Sequence, residues 1–439
     1  MSGIPETWCE RDEHKQFERF IDFNDWLDGD EDEAKATRAA NGLTKVSQPS
    51  KALFAGDKNA YEQAFRAYRL QRRHEVLSGK YIEDTYGDNH WFERNEERLD
   101  QLVSCLLDDS VVPFIGAGVS VAGGFPTWKD HLRRQGRTAG IDSAIIEAHL
   151  ARGEYETIIE TIEATRGPDV FSQEIRDAFS KTGKLEAITL LIAELFSDTL
   201  ITTNYDRLLE QCFDVGPGEE VQVINGTSAM ETPDPEKITV IKLHGDIGNP
   251  NRCILGKKQY DAAYGETDLD LTLPIPKLLR YYFTTSSLLF IGCSLNNDRT
   301  IQVFKAVKAE IGDGDRPEHF SIEQAPEIEA DLVTRNAELL DLGIVPIWFP
   351  KGEYDKVEAI LRHARNELKY KQSNTPRNGF SHGKKKSDAS TTPPISDPPT
   401  PVANIETTPK PLSMFARLSD RLASVLGIRA HTSAISTKP

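Results

Sequence analysis

Between residues 111 and 348 the chain returns six times to short runs rich in Val and Ile: Val111–Ile115, Thr199–Thr203, Val221–Ile224, Thr239–Leu243, Ser287–Ile291 and Ile344–Trp348. Each is one strand long, and none alternates cleanly between polar and apolar. That flat pattern suits parallel strands covered by helices on both faces. Helical periodicity fills most of the gaps, as in NEERLDQLVSCLLDD before the first run and YDKVEAILRHARNELKY after the last. Strands alternating with helices predict an α/β fold with a doubly wound, mostly parallel sheet. The stretch 128–197, between the first two runs, is too long for a simple crossover. It predicts an inserted helical layer.

The flanks differ in composition. Residues 1–95 are charged and helix-like; in NAYEQAFRAYRLQRRHEVL, Tyr61, Phe65, Tyr68 and Leu70 recur at roughly helical spacing. No catalytic motif stands there. Beyond residue 370 the chain turns rich in Pro, Ser and Thr, and nine of its 24 prolines fall there. So little apolar content cannot offset the entropy of ordering, which predicts a disordered linker over 371–439. Near its end an amphipathic helix is expected over about 411–429, with Phe415, Leu418, Leu422, Val425 and Leu426 on one face. Docking to a partner or second protomer, folding back, and adhering to an anionic membrane all fit that stripe.

Charge and cysteines exclude several classes. With 52 Lys+Arg against 69 Asp+Glu the chain carries −17, which disfavours non-specific contact with nucleic acid. No run of eighteen apolar residues occurs and the amino terminus is polar, so neither a membrane span nor a secretory signal is expected. Cysteines stand at 9, 105, 212, 253 and 293 with no CxxC. Dispersed thiols suit a reducing cytoplasm and offer neither a zinc ribbon nor a redox pair.

In an open parallel sheet, ligands bind beyond the carboxyl ends of the strands. The residues directly behind each run are therefore candidates for a site. Behind the first stand Gly116-Ala117-Gly118-Val119-Ser120, behind the second Asn204-Tyr205-Asp206, behind the fourth His244-Gly245-Asp246, and behind the fifth Gly292-Cys293-Ser294. A lone GxG is more often a turn than a nucleotide site. Four small, polar loops on four strand ends converge on one rim. Asn204 alone reads as a helix cap, Asp206 as a first-turn residue, and His244 as a structural histidine; in company they read as chemistry. Trp128 and Cys293 read as packing.

GAGVS with FPTW shortly after, then TTNYD, LHGD and GCSL, resemble in order and spacing the NAD-binding core of sirtuin-like domains, above all those of bacterial anti-phage defence proteins. The resemblance covers roughly residues 96–370. It implies a Rossmann-like fold and NAD⁺ as ligand, with Gly116, Ala117 and Gly118 at the pyrophosphate and Ser120 near phosphates and ribose. It further implies that Asn204 holds the nicotinamide ribose and positions a water, that Asp206 meets the carboxamide, and that His244 acts as base. Gly292 and Ser294 would belong to the adenosine-side loop.

Protein-deacylating sirtuins carry a four-cysteine zinc module and an IPDFR segment. This chain lacks the cysteines and reads Phe125-Pro126-Thr127-Trp128, which disfavours an acyl-lysine groove. The expected activity is NAD⁺ glycohydrolase, giving ADP-ribose and nicotinamide without a metal. NAD-dependent deacylation, ADP-ribosyl transfer and a non-catalytic NAD- or ADP-ribose-binding role are the alternatives. The family implies that such an enzyme is held in check by homo-oligomerisation or by a separate sensor protein.

Overall fold

The computed structural model describes residues 11–374, except 78–89, 216–219, 228–230, 250–251, 267, 297, 313 and 315. The linker after 374 and the amphipathic stretch 411–429 lie outside the described residues.

Seven strands form one sheet: β1 Val111–Ile115, β2 Thr199–Thr202, β3 Val221–Asn225, β4 Ile238–Lys242, β5 Ser287–Ile291, β6 His319–Gln324 and β7 Ile344–Phe349. Their order is β3-β4-β2-β1-β5-β6-β7, and every neighbouring pair is parallel. The six expected runs are all strands, with some ends shifted by a residue. β6 escapes the apolar-run criterion because HFSIEQ carries His319, Ser321 and Glu323 on one face, although all three are buried.

Period-two side-chain alternation divides the sheet between two cores. Ile115, Leu200, Val240, Leu289, Ile291, Phe320 and Ile347 face one core, which helices His90–Leu107 and Asp355–Asn374 help to cover. Phe114, Ile201, Ile241, Leu288, Phe290 and Trp348 face the other, under helices Pro274–Thr285 and Arg299–Ile311. Helices on both faces explain why β4 and β5 are buried at every position while only Ile224 of the edge strand β3 is.

The expected helical insert is present as Trp128–Thr138, Ser143–Arg152, Tyr155–Arg166, Pro168–Phe179 and Ala187–Leu195. Local chemistry sets its corners. Thr127 Oγ1 accepts from the Asp130 amide at 3.0 Å and Asp142 Oδ1 from Ala144 at 2.7 Å, each capping a helix start. Gly153, at φ +73°, closes the second helix in the left-handed conformation. Leu132, Ile146, Ile159 and Phe171 of this layer share a core with Tyr205, Leu208, Ile247 and Cys253. The insert therefore packs on the loops behind β2 and β4 and fixes their positions.

The N-terminal helices enclose a small core of their own, including Phe23, Trp26, Leu27, Phe54, Tyr61, Phe65 and Tyr68. Leu70 departs from expectation. It is 69% exposed, because two residues beyond Tyr68 a helix has turned away from the stripe. Ion pairs tie these helices to Asp355–Asn374: Arg69 with Glu367, and Arg365 with Asp22 at 2.6 Å.

Candidate active site

The order of connection switches between β1 and β5, which leave the centre of the sheet in opposite directions. A crevice at such a point is where open α/β sheets hold ligands. Here the two loops touch through glycine. A Cβ on Gly116 would stand 2.4 Å from the Gly292 carbonyl oxygen, and one on Gly118 would stand 2.9 Å from Gly292 Cα. Gly292 itself sits at φ +67°, where a Cβ would meet the Val119 amide nitrogen at 2.7 Å. The Gly116 and Gly118 amides donate to the carbonyls of Ile291 and Gly292, each at 2.9 Å. These two N–H groups are thus committed to the neighbouring loop. The glycines serve backbone contact first, a use the motif alone does not reveal. Ala117 opens a short helix, Ala117–Ala122, that contains Ser120.

Asn204 fastens the β2 loop to this junction. Its Nδ2 donates to the Gly116 carbonyl and to Ser120 Oγ, both at 3.0 Å, and its amide donates to Thr202 Oγ1 at 3.0 Å. Thr202 Oγ1 in turn donates to the Ile115 carbonyl at 2.8 Å. Asn204 does not cap the following helix. Asp206 is closer to that role: its Oδ1 accepts from the Leu208 amide at 3.0 Å, at the start of Leu208–Val215. Asp206 Oδ2 is buried and has no hydrogen-bond partner among the described residues. A buried acceptor left unpaired is costly, and a ligand N–H would satisfy it.

The β2 and β4 loops are joined as well. The Ile247 amide donates to the Tyr205 carbonyl at 3.0 Å, and the Tyr205 hydroxyl to the Ile254 carbonyl at 2.6 Å. Lys242, which sequence reasoning passed over as a strand residue, is fully buried beneath both loops. Its Nζ donates to the Asp206 carbonyl and lies 2.8 Å from Glu210 Oε1 and 3.3 Å from Asp246 Oδ1. Gly245, at φ +100°, turns the chain where a Cβ would strike the backbone of Arg252 and Cys253.

His244 lies between two tyrosines of helix Lys257–Tyr264. Its Nε2 is 2.8 Å from the Tyr264 hydroxyl, and Nδ1 is 3.5 Å from that of Tyr260. Burial pushes the imidazole down to about 4, so it is neutral at pH 7 rather than poised to titrate there. The tyrosines carry no motif, and only their contact with His244 identifies them.

The β5 and β6 side is more loosely furnished. Ser294 is exposed, and its carbonyl accepts from Arg335 at 3.1 Å; no side-chain bond joins it to the Asn204–His244 line. Cys293 donates to the Phe114 carbonyl at 3.4 Å. At the end of β6, Glu323 is buried and pushed up to about 7 by burial, with Arg335 3.8 Å away. It was invisible in the sequence because β6 was.

The rim is closed. Ser120, Asn204, Asp206 and His244 are all buried. A depression of about 340 Å³ lies on the helical insert between Pro126, Arg134, Glu174, Asp177 and Lys181, and none of the four buried site residues lines it. Among the described residues no three His, Cys, Asp or Glu side chains come together as a metal site, and no helix is long and apolar enough to cross a membrane. Trp128 packs in the insert core beside His131 and Tyr205, as expected.

Residues 198–347, from the start of β2 into β7, match the family model of the SIR2-like domain. Over that span the chain is similar to SIR2-like domains. The match includes the Asn204, Asp206 and His244 loops; the Gly116 loop precedes it but is bound to it through Gly292 and Asn204. Relatives similar to this chain are each named NAD(+) hydrolase ThsA. That of Cytobacillus dafuensis is 28% identical over 50% of this chain and 42% of its own length. That of Bacillus cereus (strain MSX-D12) is 25% identical over 61% of this chain and 56% of its own. That of Enterococcus faecium is 24% identical over 48% of this chain and 42% of its own. The chain thus spans about half the length of the curated relatives it matches.

Proposed function

We propose that the chain hydrolyses NAD⁺ at the nicotinamide–ribose bond, releasing nicotinamide and ADP-ribose. The observation that carries this is the Asn204–Ser120 hydrogen bond, with Asp206 and His244 buried on neighbouring strand-end loops that the Ile247 amide joins through the Tyr205 carbonyl. The relatives' names agree with it. As the C–N bond breaks, its electron pair neutralises the pyridinium ring and leaves an oxocarbenium-like ribose. Water attacks that carbon and surrenders a proton. The neutral imidazole of His244 is in the right form to take it directly or through a ribose hydroxyl. The Asn204 amide orients ribose and water without titrating. Asp206 Oδ2, a buried acceptor lacking a donor, suits the carboxamide NH₂ of nicotinamide.

Gly116, Ala117, Gly118 and Gly292 then line the pyrophosphate side, with Ser294 towards the adenosine. We place the chemistry in residues 96–370, with 1–95 as an accessory region. A cytoplasmic role in anti-phage defence, restrained by self-assembly or a separate sensor protein, extends the proposal to the whole molecule. Purified protein incubated with NAD⁺, with nicotinamide followed by chromatography, tests the core claim. Nicotinamide release by wild type that stops in Asn204→Ala and His244→Ala is expected. Unchanged turnover in either folded variant refutes the assignment.

A further inference from the structure

Lys242 ends a strand, ITVIK, that is buried at all five positions. An ammonium group there is expensive unless every donor is used. Its ammonium donates to two acceptors, the Asp206 carbonyl behind β2 and Asp246 Oδ1 behind β4, and forms an ion pair at 2.8 Å with Glu210 on the next helix. Charge alone accounts for the two carboxylates. It does not account for the bond to the main-chain carbonyl of Asp206. Asp206 also keeps a side-chain oxygen without a hydrogen bond in the interior, as do its neighbour Glu210 and Glu323. The other Asp206 oxygen is held by the Leu208 amide. With main chain and Oδ1 both anchored, Oδ2 has one orientation.

We propose that Lys242 is a positioning residue for substrate selection: by gripping the Asp206 main chain it holds Oδ2 as the acceptor for the carboxamide NH₂ of nicotinamide. This rests on the NAD⁺-cleaving reading above. Its consequence is specific. The grip matters for a dinucleotide with a carboxamide and matters little for one without the NH₂ donor.

The test compares kcat/KM for NAD⁺ with that for an NAD⁺ analogue whose carboxamide is a methyl ketone, in the full chain. The ratio of the two cancels any general loss of activity. Lys242→Met paired with Glu210→Gln removes the more buried ion pair together and leaves only the more exposed Asp246 carboxylate without its cation; Asp206→Ala serves as the reference. Both should lower the ratio about tenfold, the worth of one hydrogen bond to a charged group. Lys242→Arg, which keeps a cation there, should recover part of it. Should the double variant misfold, Asp246→Asn loosens the same ammonium while leaving the Lys242–Glu210 pair standing. It should lower the ratio about threefold, a fraction of such a bond. Both rates falling together with an unchanged ratio, in either variant, overturns the proposal and leaves Lys242 a structural ion. Wild-type protein that cleaves neither dinucleotide overturns the parent reading instead, and this one with it.

Discussion

The two ends of the proposed site are held together by different means. At the β1–β5 junction backbone meets backbone: Gly116, Gly118 and Gly292 approach so closely that no side chain fits between them. At the β2–β4 end, side chains do the holding: Asn204 and Lys242 donate to the main-chain carbonyls of Gly116 and Asp206, and His244 bonds the Tyr264 hydroxyl. The first arrangement depends on shape and the second on chemistry. Substitutions should therefore break the first by unfolding and the second by silencing.

The largest effect is expected at the glycines. Gly116→Ala places a methyl 2.4 Å from the Gly292 oxygen, and neither loop can retreat without leaving its strand. A loss of about 3 kcal/mol or more is expected, in the range of severe overpacking. Gly124 is the control. Gly116 lies at φ −101°, open to any residue, so its cost is the clash alone. Gly124 has the reverse, a positive φ of +88° with nothing within 4 Å of its Cβ position, so Gly124→Ala should cost only about 1 kcal/mol. Urea unfolding of both variants measures the difference. A cost at Gly116 no larger than that at Gly124 would show that the close approach at the junction does not hold the loops together.

At the other end His244→Ala and Asn204→Ala should each reduce turnover 10²-fold or more, the usual scale for a lost acid–base or orienting group. Their unfolding midpoints should move far less than that of Gly116→Ala. Asn204→Ala removes one of the two donors to the Gly116 carbonyl, the Val119 amide remaining, so a drop of about 1 kcal/mol is expected there. A variant as unstable as Gly116→Ala would make Asn204 part of the shape and end the contrast.

Acid sharpens the comparison further, because buried groups on the two sides of the rim have opposite signs. His244 titrates at about 4 in the fold against an ordinary 6.5. Below pH 6.5 the unfolded chain takes up a proton that the native state refuses, so this stability is lost as pH falls towards 4. Glu323 is raised from 4.5 to about 7. The native state keeps its proton where the unfolded chain releases it, so this stability is lost as pH rises towards 7. Relative to wild type, His244→Gln should therefore gain at pH 5 over pH 7.5, and Glu323→Gln should gain at pH 7.5 over pH 5. Each gain should be about 2 °C in melting temperature. Parallel shifts of the two variants would refute the assigned signs.

The same division explains what could be read from sequence. Runs of Val and Ile announced six strands, and polar residues directly behind them announced Asn204, Asp206 and His244. Position in a parallel sheet fixes both. β6 stayed hidden because His319, Ser321 and Glu323 are polar yet buried, and composition cannot tell a buried polar face from a loop. Lys242 was hidden for the converse reason: a lysine ending a strand reads as solvent-facing until its three partners are seen. The glycines were legible as a loop, but their partner was not, since Gly116 and Gly292 lie far apart in the chain and meet only across β1 and β5. Tyr260 and Tyr264 belong to no pattern at all. Contacts between distant segments are what sequence periodicity leaves out.

The smallest effect is expected at Ser294, which the resemblance assigns to the adenosine-side loop and the structure leaves exposed. Its hydroxyl makes no bond to the Asn204–His244 line, so Ser294→Ala should not change the unfolding free energy by more than about 0.5 kcal/mol. Any contact it makes with the adenosine half is remote from the breaking bond and equal in ground and transition states. Losing it should raise KM about threefold and leave kcat alone, the pattern of uniform binding. A fall in kcat instead would mean that Ser294 acts on the chemistry, and that the division between the two ends is drawn in the wrong place.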